Sequence, residues 1–263
     1  MIDVRNLNFR RFALTSVAML GIAALSPSGA YADEAFAKES LKKMSDYLAS
    51  QQVISFDYDS NLEVVTKEDQ RIGFSSSGTV ILSRPDKLRA TRVGGFVDVE
   101  MMFDGKMLTL SGKNKNLYTQ VEEPGSIDRL VDELRYKYGR PLPGADFLIS
   151  NSYEELMSDV TDVKDIGSGV VGGVECNTFA FRTEKVDWQI WIAQGEQPYP
   201  CRYVISTKDV KLSPQYVIQV RNWQTGGAVS DADFTFSNST NATKIEPGEL
   251  RENLPDNFKM GEK

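Results

Sequence analysis

The stretch VDWQIWIAQGEQPYPCRYVIS, residues 186–206, gives the strongest indication of the fold. Alternating apolar residues flank a polar turn, which is typical of two β-strands forming a hairpin. Successive side chains of a strand point to opposite faces, so Trp188, Ile190 and Ile192 share one face and Trp191 lies on the other. We predict that the Trp188 face looks inward. Two interpretations stay open: both rings only pack the interior, or Trp188 lines an apolar cavity that accepts a lipid chain.

Other segments repeat this alternation. In VISFDYDS, residues 53–60, Phe56 alternates with polar residues. In FVDVEMMF, residues 96–103, Val97, Val99, Met101 and Phe103 share one face, and Asp98 and Glu100 lie on the other. We predict that a ligand-binding apolar cavity is lined by Phe56, Val97, Val99, Met101, Phe103, Trp188 and Ile190. The alternative is a core filled by helix side chains, and a sequence does not contain the volumes that would decide.

Helical patterns occur at two places. Residues 33–51 carry an apolar stripe at helical spacing, with Asp33 as the predicted N-cap. Further helical segments follow Pro124 and Gly125, and strands return from Val160 onward. The pattern therefore predicts a mainly β (α+β) protein in which one sheet is interrupted by a helical insert.

The N-terminus has the features of a secretory signal peptide. Residues 1–32 combine three arginines, an apolar run and the small-x-small site Ala30–Ala32. We predict a signal peptide over 1–32 and a single domain over 33–263. A retained membrane anchor is the alternative, and export by the general or the twin-arginine route stays open. The predicted location is the periplasm.

Composition excludes several kinds of function. The chain has no histidine, which removes Ser-His-Asp and Cys-His catalysis and the commonest zinc ligand. Removing residues 1–32, which carry three Arg and one Asp, would take the net charge from −7 to −9. Such a surface repels nucleic acid. We therefore expect no enzyme, no catalytic residues, no metal site, no cofactor and no nucleic-acid partner. Acidic pairs such as Asp98 and Glu100 are expected on solvated strand faces.

The chain has two cysteines, Cys176 and Cys201. In an oxidising compartment an isolated pair favours a disulfide over a metal site. The cross-link would close a loop of roughly 25 residues and stabilise the fold by about 3 kcal/mol in the chain-entropy model. Two buried free thiols are the alternative.

The order of elements resembles a known family. An N-terminal helix precedes strands containing RPDKLR (residues 84–89) and FDGK (residues 103–106), and helices then precede the 186–206 hairpin. This order resembles the periplasmic lipoprotein-carrier superfold of the LolA/LolB-like proteins, and most of all the DUF2092 family of predicted periplasmic proteins. The resemblance implies a strongly curved antiparallel sheet, an open half-barrel, with helices covering its concave face. Carriers of this superfold hold acyl chains between sheet and helices.

These observations together predict a non-enzymatic periplasmic carrier or binder of a hydrophobic ligand, such as a lipid or a lipoprotein acyl chain. We expect a monomer that exchanges its ligand with a membrane-bound donor or acceptor protein. The alternative is a module of the same fold that binds or senses an envelope protein and carries no lipid.

Overall fold

The computed structural model describes residues 28–95, 97–138, 144–247 and 249, with side chains from residue 33 onward. The predicted signal peptide, residues 1–32, lies almost entirely outside the described residues. Its removal, like the extent of the mature domain, stays a prediction.

Within these described ranges, twelve strands form a single open, curved sheet in the order β12-β6-β5-β4-β3-β2-β1-β11-β10-β9-β8-β7. Every neighbouring pair is antiparallel except β12 and β6, which run parallel. The strands are β1 Val53–Val65, β2 Arg71–Ser83, β3 Lys87–Gly94, β4 Val97–Phe103, β5 Met107–Gly112, β6 Leu117–Glu122, β7 Asp162–Val171, β8 Val174–Arg182, β9 Val186–Ala193, β10 Pro200–Thr207, β11 Gln215–Thr225 and β12 Thr243–Lys244.

Two meanders, β1 to β6 and β7 to β11, meet where β1 pairs with β11. The described residues between the meanders are largely helical, so the predicted single sheet with a helical insert is confirmed. Directly opposed residues share a face. Phe56 lies opposite Val80, Val80 opposite Ala90, and Ala90 opposite Met101, which places an apolar row across the concave face of the first meander.

In the described part of the chain, three α-helices cover the concave face: α1 Ser28–Ser50, α2 Ile127–Asp132 and α3 Ser152–Met157. The apolar stripe of α1 is confirmed, since it is fully buried in the main core at Ala37, Leu41, Met44 and Leu48. The predicted cap at Asp33 is wrong, because the helix already begins at Ser28. The preceding residues SGAYA contain alanine, the best helix former, and extend the helix upstream.

We call the segment between β6 and β7 the lid; its described residues are 126–138 and 144–158. Ser126 caps α2, as its side chain accepts a hydrogen bond from the Arg129 amide. A π-helical turn, Glu133–Lys137, and a 3-10 turn, Ala145–Phe147, separate α2 from α3. The underside of the lid is apolar and joins the main core through Ile127, Leu130, Val131, Leu134, Phe147, Leu148, Ile149 and Leu156.

The C-terminal segment lies on the convex side of the first meander. Its 3-10 turn, Asp231–Phe234, buries Phe234 and accepts a hydrogen bond from Arg89. The segment then adds β12 to the outer edge of β6. None of the helices in the described ranges is both long and apolar enough to span a membrane.

Gly78 on β2 is required by close packing. A Cβ atom there would lie 1.9 Å from the Thr91 carbonyl oxygen and 2.7 Å from the Tyr58 ring, which crosses Gly78 to donate a hydrogen bond to that carbonyl. We expect Gly78→Ala to lower the free energy of unfolding by about 2 kcal/mol or more, because the obstructing atom is backbone. The matched control is Gly95→Ala, where a Cβ meets nothing within 4 Å. Urea denaturation of both variants checks this, and equal stabilities would contradict it.

Candidate ligand-binding site

Four aromatic rings connect the sheet to the lid. Phe181 stacks on Trp188 with centroids 3.9 Å apart, Trp188 meets Tyr203 edge-on at 5.7 Å, and Tyr203 meets Phe147 edge-on at 4.7 Å. The first three lie on the adjacent strands β8, β9 and β10, whereas Phe147 belongs to the lid. Burial raises the pKa of Tyr203 far above its ordinary range, so the hydroxyl is neutral. We call this row the aromatic ladder.

A second aromatic group lies beside the ladder. The Trp223 ring is stacked between Phe56, with centroids 5.5 Å apart, and Tyr199, at 5.0 Å. Its indole Nε1 is buried and has no hydrogen-bond partner among the described residues. These rings come from β1, β11 and the turn before β10, so they lie at the junction of the two meanders.

An apolar hollow lies between the two aromatic groups, beneath the lid. Its volume is about 20 Å³, and its described lining is Leu48, Phe56, Gly144, Phe147, Leu148, Pro200, Tyr203, Ile218, Val220 and Trp223. About one water-sized probe fits in such a volume. An acyl chain therefore enters only if the lid moves away from the sheet.

A second hollow of about 50 Å³ lies toward the other end of the sheet. It too is bounded by the lid, and its described lining is Leu108, Leu110, Thr119, Val121, Leu134, Tyr138 and Pro247. Thr119 is buried, and its hydroxyl has no hydrogen-bond partner in the described part of the chain. Both hollows thus lie between the concave face and the same covering segment.

The predicted lining residues occupy three kinds of environment. Phe56 lines the first hollow. Four others are buried within the packed core: Met101, Phe103, Trp188 and Ile190. Val97 is half-buried, and Val99 is 36% exposed on an uncovered part of the concave face. The inward orientation of the Trp188 face is as expected, and contact of these side chains with a ligand stays a prediction.

The lid is anchored to the sheet by a buried carboxylate at the end of β6. The Glu123 side chain is only 3% exposed, and it accepts hydrogen bonds from Lys137 Nζ at 2.7 Å and from the Tyr138 hydroxyl at 3.0 Å. Arg129 lies 3.7 Å away. The hydrogen bond from Lys137 is the largest of the effects that hold the pKa of Glu123 below its ordinary value, against burial, which raises it.

Asp98 and Glu100 were expected on a solvated face, which is wrong for Glu100. Its side chain is buried near the C-terminal segment and binds Arg89 Nε at 2.7 Å and Lys113 Nζ at 3.1 Å. Burial alone would raise its pKa, but these two cations outweigh burial and lower it. A carboxylate so paired stays ionised and has a structural role.

The predicted disulfide is wrong for this structure, in which Cys176 and Cys201 are free and buried. Their Sγ atoms lie 2.7 Å apart, longer than the roughly 2.05 Å of a disulfide bond. Strand β9 separates the two strands that carry them, and the sulfurs meet beside the small side chain of Ala193. Burial raises the pKa of both thiols, so both are protonated.

Several residues of the site were not found from the sequence. Phe147, Tyr203 and Trp223 follow ordinary apolar patterns and give no sign of lining a hollow. Glu123 looks like one half of a surface acidic pair. Only its position directly after a strand and before Pro124 hinted at a fixed environment.

The chain forms an open, curved antiparallel sheet with helices over its concave face, which is the architecture that the family resemblance predicted. The chain belongs to the family described as predicted periplasmic protein, DUF2092, whose model matches residues 37–247. The predicted family and the predicted periplasmic location are thereby confirmed. No curated protein sequence matches the chain.

Three solved structures illustrate the likeness, each at low sequence identity. The MucA/MucB complex of Pseudomonas aeruginosa gives a TM-score of 0.45 and 11% identity, covering 77% of this chain and 61% of that chain. This chain thus matches less than two thirds of that relative. Mycobacterium tuberculosis lipoprotein LppX gives a TM-score of 0.39 and 13% identity over 75% of this chain and 100% of that chain. A LolA superfamily protein from Nitrosomonas europaea gives 0.35 and 10% identity over 76% and 97%. At these values the likeness says nothing about what this chain binds.

The Glu123 anchor predicts a pH-dependent contribution to stability. Because its pKa is depressed in the folded state, the stabilisation is present above the unfolded value, near 4.5, and is lost as the pH falls through the folded pKa. We expect Glu123→Gln to cost about 1 kcal/mol at pH 7, a modest value because Lys137 and Arg129 are half exposed. The difference from wild type should shrink below pH 4.5.

Urea denaturation across this pH range measures the effect. The control is Glu122→Gln, which changes the exposed neighbouring carboxylate. A cost for Glu123→Gln that is the same at all pH values would show that lost packing, not charge, is responsible.

Proposed function

We propose that the protein is a non-enzymatic periplasmic binder of a hydrophobic ligand, held between the concave face and the lid. The observation that carries the proposal is the apolar hollow at the junction of the meanders, where Phe56, Trp223 and Tyr203 from the sheet face Phe147 from the lid. At this hollow the sheet and the lid are incompletely packed against each other. A ligand that enters there extends a space already present.

Binding requires the lid to move, because the hollow of about 20 Å³ is too small for an acyl chain. Raising the lid exposes its apolar underside, which costs free energy. A hydrocarbon chain repays that cost at about 0.8 kcal/mol per buried CH₂ group, since it covers the same apolar surfaces.

The polar contacts of the lid suit such a movement. Arg135 pairs with Asp146 and Glu155, and all three residues belong to the lid. Glu123 is the buried carboxylate that ties it to the sheet. A lid joined internally and anchored at one end can move as a unit. A membrane-bound donor or acceptor that displaces the anchor would load or release the ligand from a monomer.

One observation favours a second candidate, a module that binds an envelope protein. Strand β7 is an edge of the sheet, and it exposes Ile166 by 53% and Val170 by 68%. An edge strand can accept a strand from a partner. Such a protein would need no ligand between sheet and lid.

Filling the first hollow separates these candidates. We expect Val220→Trp to weaken binding of a neutral long-chain alcohol about tenfold or more, which is about 1.4 kcal/mol, because the new ring occupies the hollow. Val217→Trp is the matched control, since Val217 lies on the same strand and the opposite face. Calorimetric titration measures affinity, and urea denaturation verifies that both variants are folded.

Native mass spectrometry of wild type purified from its own periplasm supplies the decisive comparison. A bound lipid in stoichiometric amount supports the binder. Protein that is free of lipid, and that takes up no alcohol on titration, overturns the binder and leaves the interaction module.

A further inference from the structure

Arg92 occupies an unusual position on the sheet. It lies opposite Val99 on the neighbouring strand and two residues from Ala90, which belongs to the apolar row of the concave face. All the remaining described residues that the register places on the concave side of β1 to β6 are apolar, glycine or hydroxyl-bearing. Arg92 is therefore the one charged residue on that side of the first meander.

The guanidinium of Arg92 has no acidic partner among the described residues. Its Nε donates a hydrogen bond of 2.9 Å to the Ser76 hydroxyl. The nearby charged residues of β1 and β2 lie on the convex side, where Asp59 pairs with Arg221 and accepts a hydrogen bond from Ser77. A half-buried arginine usually has a bound counter-ion or a carboxylate.

Neutral hydroxyl groups surround this arginine. Ser60 and Ser76 are buried, with their Oγ atoms 2.9 Å apart. Burial raises the pKa of Tyr58 to about 12 and also raises the pKa of Tyr216. The nearby charge of Arg92 lowers both pKa values but does not outweigh burial. Both phenols are thus protonated and cannot neutralise the cation. The cluster presents one positive charge and several hydroxyl groups.

We propose that Arg92, with Ser76 and Ser60, binds the anionic headgroup of an amphiphile, a carboxylate or a phosphate. The proposal rests on the proposed function, since the alkyl chain would occupy the space under the lid. A planar guanidinium forms paired hydrogen bonds to either anion, and serine hydroxyls donate to the remaining oxygens.

The path of the alkyl chain follows from the strands. Along β3, Leu88 lies four residues from Arg92, which is about 13 Å in a strand. Ala90 and Met101 lie between, and Leu88 pairs with Phe103 in the buried core near the lid. The uncovered Val99 leaves the Arg92 end open to solvent. A headgroup at Arg92 and a chain directed toward the lid would thus bind along one apolar track.

Calorimetric titrations of the mature protein with three ligands of equal chain length test the proposal: dodecanoate, dodecyl phosphate and dodecanol. We expect wild type to bind both anions about tenfold or more tightly than the alcohol, since hydrogen bonds to charged groups contribute more than neutral ones. The preference for the anions should decrease as the NaCl concentration is raised from about 0.02 to 0.5 M. Arg92→Met should bind all three alike. Arg221→Met, on the convex face of the same sheet, should retain the wild-type preference.

Each other result overturns the proposal. Equal affinity of wild type for the three ligands removes the headgroup site and leaves the hydrophobic binder intact. An equal loss in Arg92→Met and Arg221→Met indicates a general charge effect. Binding of inorganic phosphate or acetate as tight as that of the alkyl anions indicates a site for free anions. Failure of all three ligands to bind overturns the proposed function as well. The wild-type comparison decides without any variant, so a folding defect in Arg92→Met does not prevent the test.

Discussion

The contact between Phe147 and Tyr203 joins the two parts of this molecule, the curved sheet and the lid that covers it. Tyr203 also contacts Trp188, which stacks on Phe181, so a continuous row of rings connects three strands of the sheet to the lid. Without a covering segment the concave face would expose an apolar surface far larger than a monomeric periplasmic protein normally presents. The lid is therefore a structural necessity before it is a functional element, and any ligand competes with it for the same surface.

The two faces of the first meander differ in charge, so the sheet has one polar side and one apolar side. The convex side carries the ion pairs, including Asp59 with Arg221 and Glu100 with Arg89. The concave side is apolar apart from hydroxyl groups and Arg92. This distribution makes the convex side compatible with water and the concave side apolar. A single charge on the apolar side is costly unless it meets an anion, which is why Arg92 bears on ligand chemistry more than the many surface charges do.

Alternation and helical spacing were enough to predict which faces of the strands and of α1 look inward, because period-two and period-3.6 patterns record burial directly. They were sufficient for Trp188 and Trp191, whose opposite orientations the structure reproduces. They could not reveal the pairing of β1 with β11, in which Asp57 lies opposite Arg221, because strand pairing depends on residues that are remote in sequence. The burial of Glu100 was missed for the same reason. Its cationic partners, Arg89 and Lys113, come from β3 and from the turn after β5, and the local alternation of β4 does not record those contacts.

The small size of the hollows is compatible with a binder only if lid opening and ligand binding are linked. The apparent association constant is the intrinsic association constant multiplied by the fraction of molecules whose lid is open. Contacts that hold the closed lid, such as the ladder contact at Phe147 and the Glu123 anchor, therefore lower apparent affinity as they raise stability. The ladder contact is non-polar and can be replaced by a hydrocarbon chain, whereas the ionic contacts at Glu123 cannot. A ligand would thus displace the lid at the hollow first, while the anchored end stays in place, and a partner acting on Glu123 would control the rest.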